Sequence, residues 1–206
     1  MQHPNSIALL TYWDTKRGGR PCPARSDIEP ADIARYLPHV LIAEAAEDKA
    51  WRFRLAGTAL CNLAGQELRG LPLSGLWLGD YRRNLGNILQ AVAEGAPAAL
   101  ALEGLSQSGR AMTAEALFLP LSGPSGNRDR MLGTISLFDP PYWVGYDALM
   151  GFSTTGFRLF DPAKPNPFLT NRPEVPVSGN DTPATRPPIG SPPKRRFFLI
   201  DGGRKD

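Results

Sequence analysis

Histidine and cysteine are nearly missing from this chain of 206 residues, and long apolar runs are missing altogether. The two histidines, His3 and His39, and the two cysteines, Cys22 and Cys61, stand far apart in sequence. That spacing excludes a clustered metal site and a disulfide framework, so reduced thiols and no metal are expected. A membrane span needs roughly eighteen consecutive apolar residues, and no stretch approaches that. The opening MQHPNSIALL has no basic region ahead of a long apolar one, so a cytoplasmic location is expected and membrane association is not.

Basic excess is also scarce where it would matter. The net charge of +3 comes entirely from the end of the chain: residues 1–140 hold 14 basic and 14 acidic residues, and residues 141–206 hold 9 and 6. Nucleic-acid binding needs a clustered basic face, which the first 140 residues do not show, so nucleic acid is not an expected partner.

What is present is a hydrophobic share of 42%, enough to build a core. Proline divides the chain, with 10 in the first 140 residues and 11 in the last 66. Residues 161–196 add Ser, Thr, Asn and Gly to the prolines and carry no helical or strand period, so disorder is expected there. The end, RRFFLIDGGRKD, differs: Phe197, Phe198, Leu199 and Ile200 form an apolar patch suited to a sheet edge or a partner. The expected plan is N-terminal helices and a connector over 1–36, a folded domain over 37–140, a Pro-rich and mostly disordered tail over 141–196, and an apolar terminal peptide over 197–206.

Asn5 or Ser6 can cap a first helix whose Leu9, Leu10 and Trp13 share one side. The connector RGGRPCPARSDIEP follows, and Pro30 suits the first turn of a second helix that Pro38 ends. LPHVLIAEA and WRFRLAG read as two antiparallel strands around an acidic turn, with Trp51, Phe53 and Leu55 on one face and Arg52 and Arg54 on the other. Thr58 can cap a brief helix. Asp80 can cap a long one, with Tyr81, Leu85, Ile88, Leu89 and Val92 in one stripe and Gly95 and Pro97 at its end. AALALEGL, AMTAEALFLPL and MLGTISLFD complete the set as strands. An α+β fold follows, a five-stranded antiparallel sheet with helices packed on one face.

The stretch YWDTKRGGRPCPARSDIEPADIARYLPHVLIAEA, followed by RFRLAGTAL and ELRG, resembles the short stand-alone PAS proteins of alphaproteobacteria over residues 6–140. The arginine-proline connector and the Arg-Leu-x-Gly-Thr pattern are its most specific parts. The resemblance implies a PAS fold and a sensory or protein-interaction module of bacterial signalling, with no catalytic residue set. Haem-binding relatives place an axial histidine on or near the long helix, and DYRRNLGNILQAVAE has none. Light-sensing relatives use an Asn-Cys-Arg-Phe-Leu-Gln motif, whereas Cys61 here precedes Asn62 and Leu63. No cofactor is therefore expected.

An enzyme needs a positioned acid, base, nucleophile or metal, and none is legible. RGGR follows a helix and runs into prolines, unlike a phosphate cradle. A pocket between helices and sheet would be apolar or filled by the chain's own side chains, with Phe53, Leu60, Cys61, Leu63, Trp77, Tyr81, Leu85, Leu89 and Phe118 as candidates. Core packing is the competing reading of each. Trp77, in the glycine-rich GLPLSGLWLG, could cover the pocket as a mobile lid or meet a partner.

The leading reading is a non-catalytic module that binds a signalling protein, as a homodimer through Leu9, Leu10 and Trp13. The alternatives are a small-molecule receptor and an adaptor acting through Phe197 and Phe198 of the tail. The connector reads as a steering device, with Arg25 held by a carboxylate or by backbone carbonyls near the sheet.

Overall fold

The computed structural model describes residues 1–164. Its first helix, α1, spans Pro4–Arg17. The N-cap is His3, not Asn5 or Ser6: the His3 Nδ1 accepts the Asn5 N–H at 3.1 Å, and its Nε2–H donates to the Leu137 carbonyl at 3.2 Å. Proline at N1 has no N–H to satisfy. Gly18, at φ 53°, ends the helix in the left-handed conformation that glycine adopts without a Cβ penalty.

The connector then meets the sheet. Arg25 N donates to Ser122 O at 2.9 Å and Ser122 N to Pro23 O at 3.0 Å. Arg25 also donates from its guanidinium to the Ile28 carbonyl at 3.3 Å, so it is held by a backbone carbonyl within its own turn. The neighbouring carboxylate, Asp27, pairs instead with Arg20 at 2.8 Å. The second helical segment, Pro30–His39, is a 3₁₀ helix that runs through Pro38, so His39 ends it rather than opening a strand.

The sheet has strands β1 (Val40–Ala45), β2 (Trp51–Ala56), β3 (Ala98–Ser106), β4 (Ala111–Leu121), β5 (Arg130–Leu137) and β6 (Leu149–Leu159), in the order β2-β1-β5-β4-β3-β6. All five neighbouring pairs are antiparallel. The expected five strands are six among the described residues, and β6 lies inside the stretch assigned to the tail. A bulge hides it from period-2 reading: Leu102 faces Thr154 whereas Ala101 faces Gly156, leaving Thr155 as the extra residue. Phe152 and Phe157 consequently share a face despite an odd spacing of five.

A second bulge corrects the reading of β2. Ala43 faces Phe53 but Ile42 faces Leu55, which makes Arg54 the extra residue. Phe53 is buried while Leu55 turns to the opposite face and is exposed. Arg54 pairs with Glu44 at 3.1 Å and Arg52 with Asp48 at 2.8 Å.

Helices cover both faces of the sheet, not one. On the inner face α2 (Thr58–Ala64) and α3 (Tyr81–Glu94) bury Leu60, Leu63, Leu85, Ile88, Leu89 and Val92 against Leu41, Phe53, Leu100, Phe118 and Phe152. On the outer face α1, the connector and the 3₁₀ segment bury Leu9, Leu10, Trp13, Ile28 and Ile33 against Val40, Ile42, Leu117, Leu119 and Leu132. Neither predicted cap side chain closes its helix: Gly57 is the N-cap of α2, and Asp80 occupies the N-cap of α3 without a side-chain hydrogen bond. Gly57 has a different task. Its N–H donates to Val40 O at 2.8 Å, and any Cβ there would overlap the carbonyl oxygens of Leu37 and Pro38. The Arg-Leu-x-Gly-Thr pattern is therefore a close backbone crossing. Among the described residues, no helix is long and apolar enough to cross a membrane.

Candidate functional site

The inner face of the sheet, where the candidate pocket residues were placed, is packed with the chain's own aromatic side chains. Trp77 is completely buried; its ring lies 6.3 Å from Phe118 and 5.8 Å from Phe152. The indole N–H donates to Thr154 Oγ1 at 3.0 Å, and Leu78 N donates to Phe152 O at 2.9 Å. These bonds tie the glycine-rich segment to β6, so Trp77 is a core side chain rather than a lid. Three aromatics of this size fill the space by dispersion contacts that a void would forfeit.

The other candidates divide. Phe53, Leu60, Leu63, Leu85, Leu89 and Phe118 are all brought into this one core. Tyr81 is not: at the first position of α3 its side chain points out and is 39% exposed. Cys61 is half-buried on α2, with its thiol toward the Ala56 carbonyl at 4.0 Å and the Glu67 carboxylate at 3.6 Å. Leu9, Leu10 and Trp13 supply no free seam. Trp13 is 1% exposed and donates its indole N–H to Pro120 O at 2.8 Å, so α1 spends its apolar side on its own sheet. Within this chain the three residues are core side chains and not an exposed seam. Phe197 and Phe198 lie outside the described residues.

Titratable groups are sparse inside. His39 is half-buried and its pKa lies below the usual 6.5, first because burial disfavours the imidazolium and second because His3 is near. Glu115, on β4, is buried and accepts the N–H groups of Gln2 at 2.6 Å and His3 at 3.1 Å, a fastening for the chain ahead of α1. The Ser106 hydroxyl donates to Asp147 at 2.6 Å and holds its carboxyl below the ordinary range, joining the loop before β6 to the β3–β4 turn. No three His, Cys, Asp or Glu residues cluster as metal ligands among the described residues.

Sequence reasoning missed the surface along β6. A groove of about 580 Å³ runs between α3 and β6, lined by Asn84, Asn87, Ile88 and Ala91 on one side and by Thr154, Phe157 and Leu159 on the other. Phe157 is 60% and Leu159 43% exposed. Their partners across β3, Leu100 and Ala98, belong to the inner core, so both face the side that α3 covers only in part. The signal was the bulge-shifted pattern of LMGFSTTGFRL.

A family model described as the PAS domain matches residues 1–136. Among solved structures, the chain is similar to the light state of the blue-light photoreceptor Aureochrome1 LOV, with 18% identity over 54% of this chain and 89% of that one and a TM-score of 0.42. It is also similar to the Rhodobacter sphaeroides LOV protein, with 13% identity over 56% and 71% and a TM-score of 0.42. A search of curated proteins finds no matching sequence. With the family model spanning most of the folded region, from α1 into β5, the chain belongs to the PAS-domain family.

Proposed function

We propose that this chain is a non-catalytic protein-interaction module of bacterial signalling, of the kind found in the stand-alone PAS proteins of alphaproteobacteria, and that it acts by holding a partner protein along β6. One observation carries this reading: the apolar surface inside the sheet is filled by Trp77, Phe118 and Phe152, while Phe157 and Leu159 remain exposed on an outermost strand. Edge strands with apolar neighbours are natural templates for an added protein segment. PAS domains are sensory and interaction modules, which fits a surface of this kind.

The test is affinity capture from a bacterial lysate with the full chain and with its Phe157→Asp, Leu159→Asp variant. A defined protein retained at constant stoichiometry by the first and lost by the second supports the reading; equal capture by both refutes β6 as the surface. A second reading, a small-molecule receptor, draws on the same groove, whose volume and mixed lining of Asn84, Asn87, Ile88 and Phe157 would admit a compact ligand. Native mass spectrometry showing a stoichiometric adduct would favour it.

A further inference from the structure

We infer that the α3–β6 groove is a site for an uncharged amphiphile, a compact amide-type head on an aliphatic body. This rests on the receptor reading of the groove and adds the chemical class of its ligand. Asn84, Asn87, Ile88 and Ala91 stand at i, i+3, i+4 and i+7 on α3, so a single stripe of the helix forms one wall. Thr154, Phe157 and Leu159 of β6 stand on the other.

The two walls run in the same direction. Ahead of α3, the Trp77 indole donates to Thr154 and the Leu78 N–H to the Phe152 carbonyl. At the far end, Glu94, Gly95 and Ala96 share a hollow with Leu159 and Phe160. The side chains are therefore graded along the groove. Asn84, Asn87 and Thr154 gather where the helix begins, and Ile88, Ala91, Phe157 and Leu159 follow toward its end. From position 84 to position 91 the helix rises about 10 Å, room for a small polar head followed by a short aliphatic chain.

Charge narrows the head group. Among the described residues, the nine that line the groove include no ionisable side chain. A carboxylate or ammonium entering it would lose water without meeting a counter-charge. A neutral head finds partners of both kinds. Each asparagine carboxamide offers N–H donors and a carbonyl acceptor, and Thr154 Oγ1, which accepts the indole N–H, keeps its own proton to donate. The complement is a head that accepts and donates from adjacent atoms, as an amide does. Phe157 and Leu159, both exposed on β6, give the aliphatic body an apolar surface to cover.

Nuclear magnetic resonance titration of the full chain with octanamide tests this, with octanoate as the charged counterpart of equal chain length. At neutral pH octanamide should give saturable shifts of the Asn84 and Asn87 side-chain amides and of the backbone amides of 154–159. It should bind about tenfold or more tightly than octanoate. Asn84→Leu with Asn87→Leu, both at exposed helix positions, should bring the two affinities within about threefold of each other. Phe157→Asp should abolish octanamide binding while the circular dichroism spectrum stays the same. An amide preference that survives in the double variant, or affinity undiminished by Phe157→Asp, overturns the inference. Octanoate binding as tightly as octanamide at the same residues also overturns it, yet leaves the groove a receptor site. Octanamide shifts that do not saturate, or that fall outside the groove, overturn it as well. The receptor reading is then decided separately, by the stoichiometric adduct sought in native mass spectrometry of the purified protein.

Discussion

The indole nitrogen of Trp77 lies 3.0 Å from Thr154 Oγ1, a part-buried hydrogen bond that joins the segment ahead of α3 to the outermost strand. Truncating a fully buried tryptophan removes its contacts and leaves a cavity, so Trp77→Ala should cost about 3–5 kcal/mol. Thr154→Val keeps the volume and removes only the acceptor, which should cost about 1–3 kcal/mol by stranding a buried N–H. Urea unfolding followed by tryptophan fluorescence measures both. A loss below half a unit for Trp77→Ala would return this side chain to the role of a lid.

Trp13→Arg separates a core residue from a dimer seam. The change buries a guanidinium against Leu117 and Leu119 and should cost about 4 kcal/mol or more. Light scattering on any folded fraction should give the same mass as the unaltered protein. A stable, folded variant of halved mass would restore the seam.

Gly57→Ala tests the backbone crossing. With a methyl group directed at the Leu37 and Pro38 carbonyls, either the 3₁₀ segment or the start of α2 must move, at a cost of about 2 kcal/mol or more. Thermal denaturation by circular dichroism is sufficient to detect this.

Acid should weaken the fold through His39. Its folded pKa is depressed, so the unfolded chain binds the proton more readily. Stability is therefore intact above the unfolded value of 6.5 and falls as pH drops below it, levelling once the folded pKa has also been passed. His39→Asn should flatten that part of the melting-temperature profile. An unchanged slope would assign it to another group.

Chain ends chosen by composition and by structure predict opposite outcomes. A protein ending at residue 140 loses β6 together with buried Trp143, Leu149 and Phe152 and should be largely unfolded. One ending at residue 164 should melt within about 5 °C of the full chain. Circular dichroism of the two separates them.

Much of the order of elements was legible because periodicity and turn chemistry agree there. Ala111–Leu121 is bounded as AMTAEALFLPL suggested, and Gly95 stops α3 as expected. Three things were hidden for physical reasons. The bulges at Arg54 and Thr155 break the two-residue period, so Leu55 was assigned to the wrong face and β6 was passed over. The amphipathic side of α1 shows in the sequence, but nothing local says whether it meets this sheet or another chain. The structure packs Phe53, Leu60, Leu63, Trp77, Leu85, Leu89 and Phe118 into one core, yet whether they enclose space depends on Phe152, which belongs to the strand that was missed.

The sheet is also asymmetric in how it can grow. At the β2 edge, Phe53 N donates to Leu71 O at 3.0 Å and Gly70 N to Phe53 O at 2.7 Å, so a loop already occupies that border. Among the described residues, β6 is then the border left open to stacking of one chain on another. Two molecules that met there would exhaust each other's growing end and close as a two-fold pair. Association of folded molecules through this sheet should accordingly halt at two.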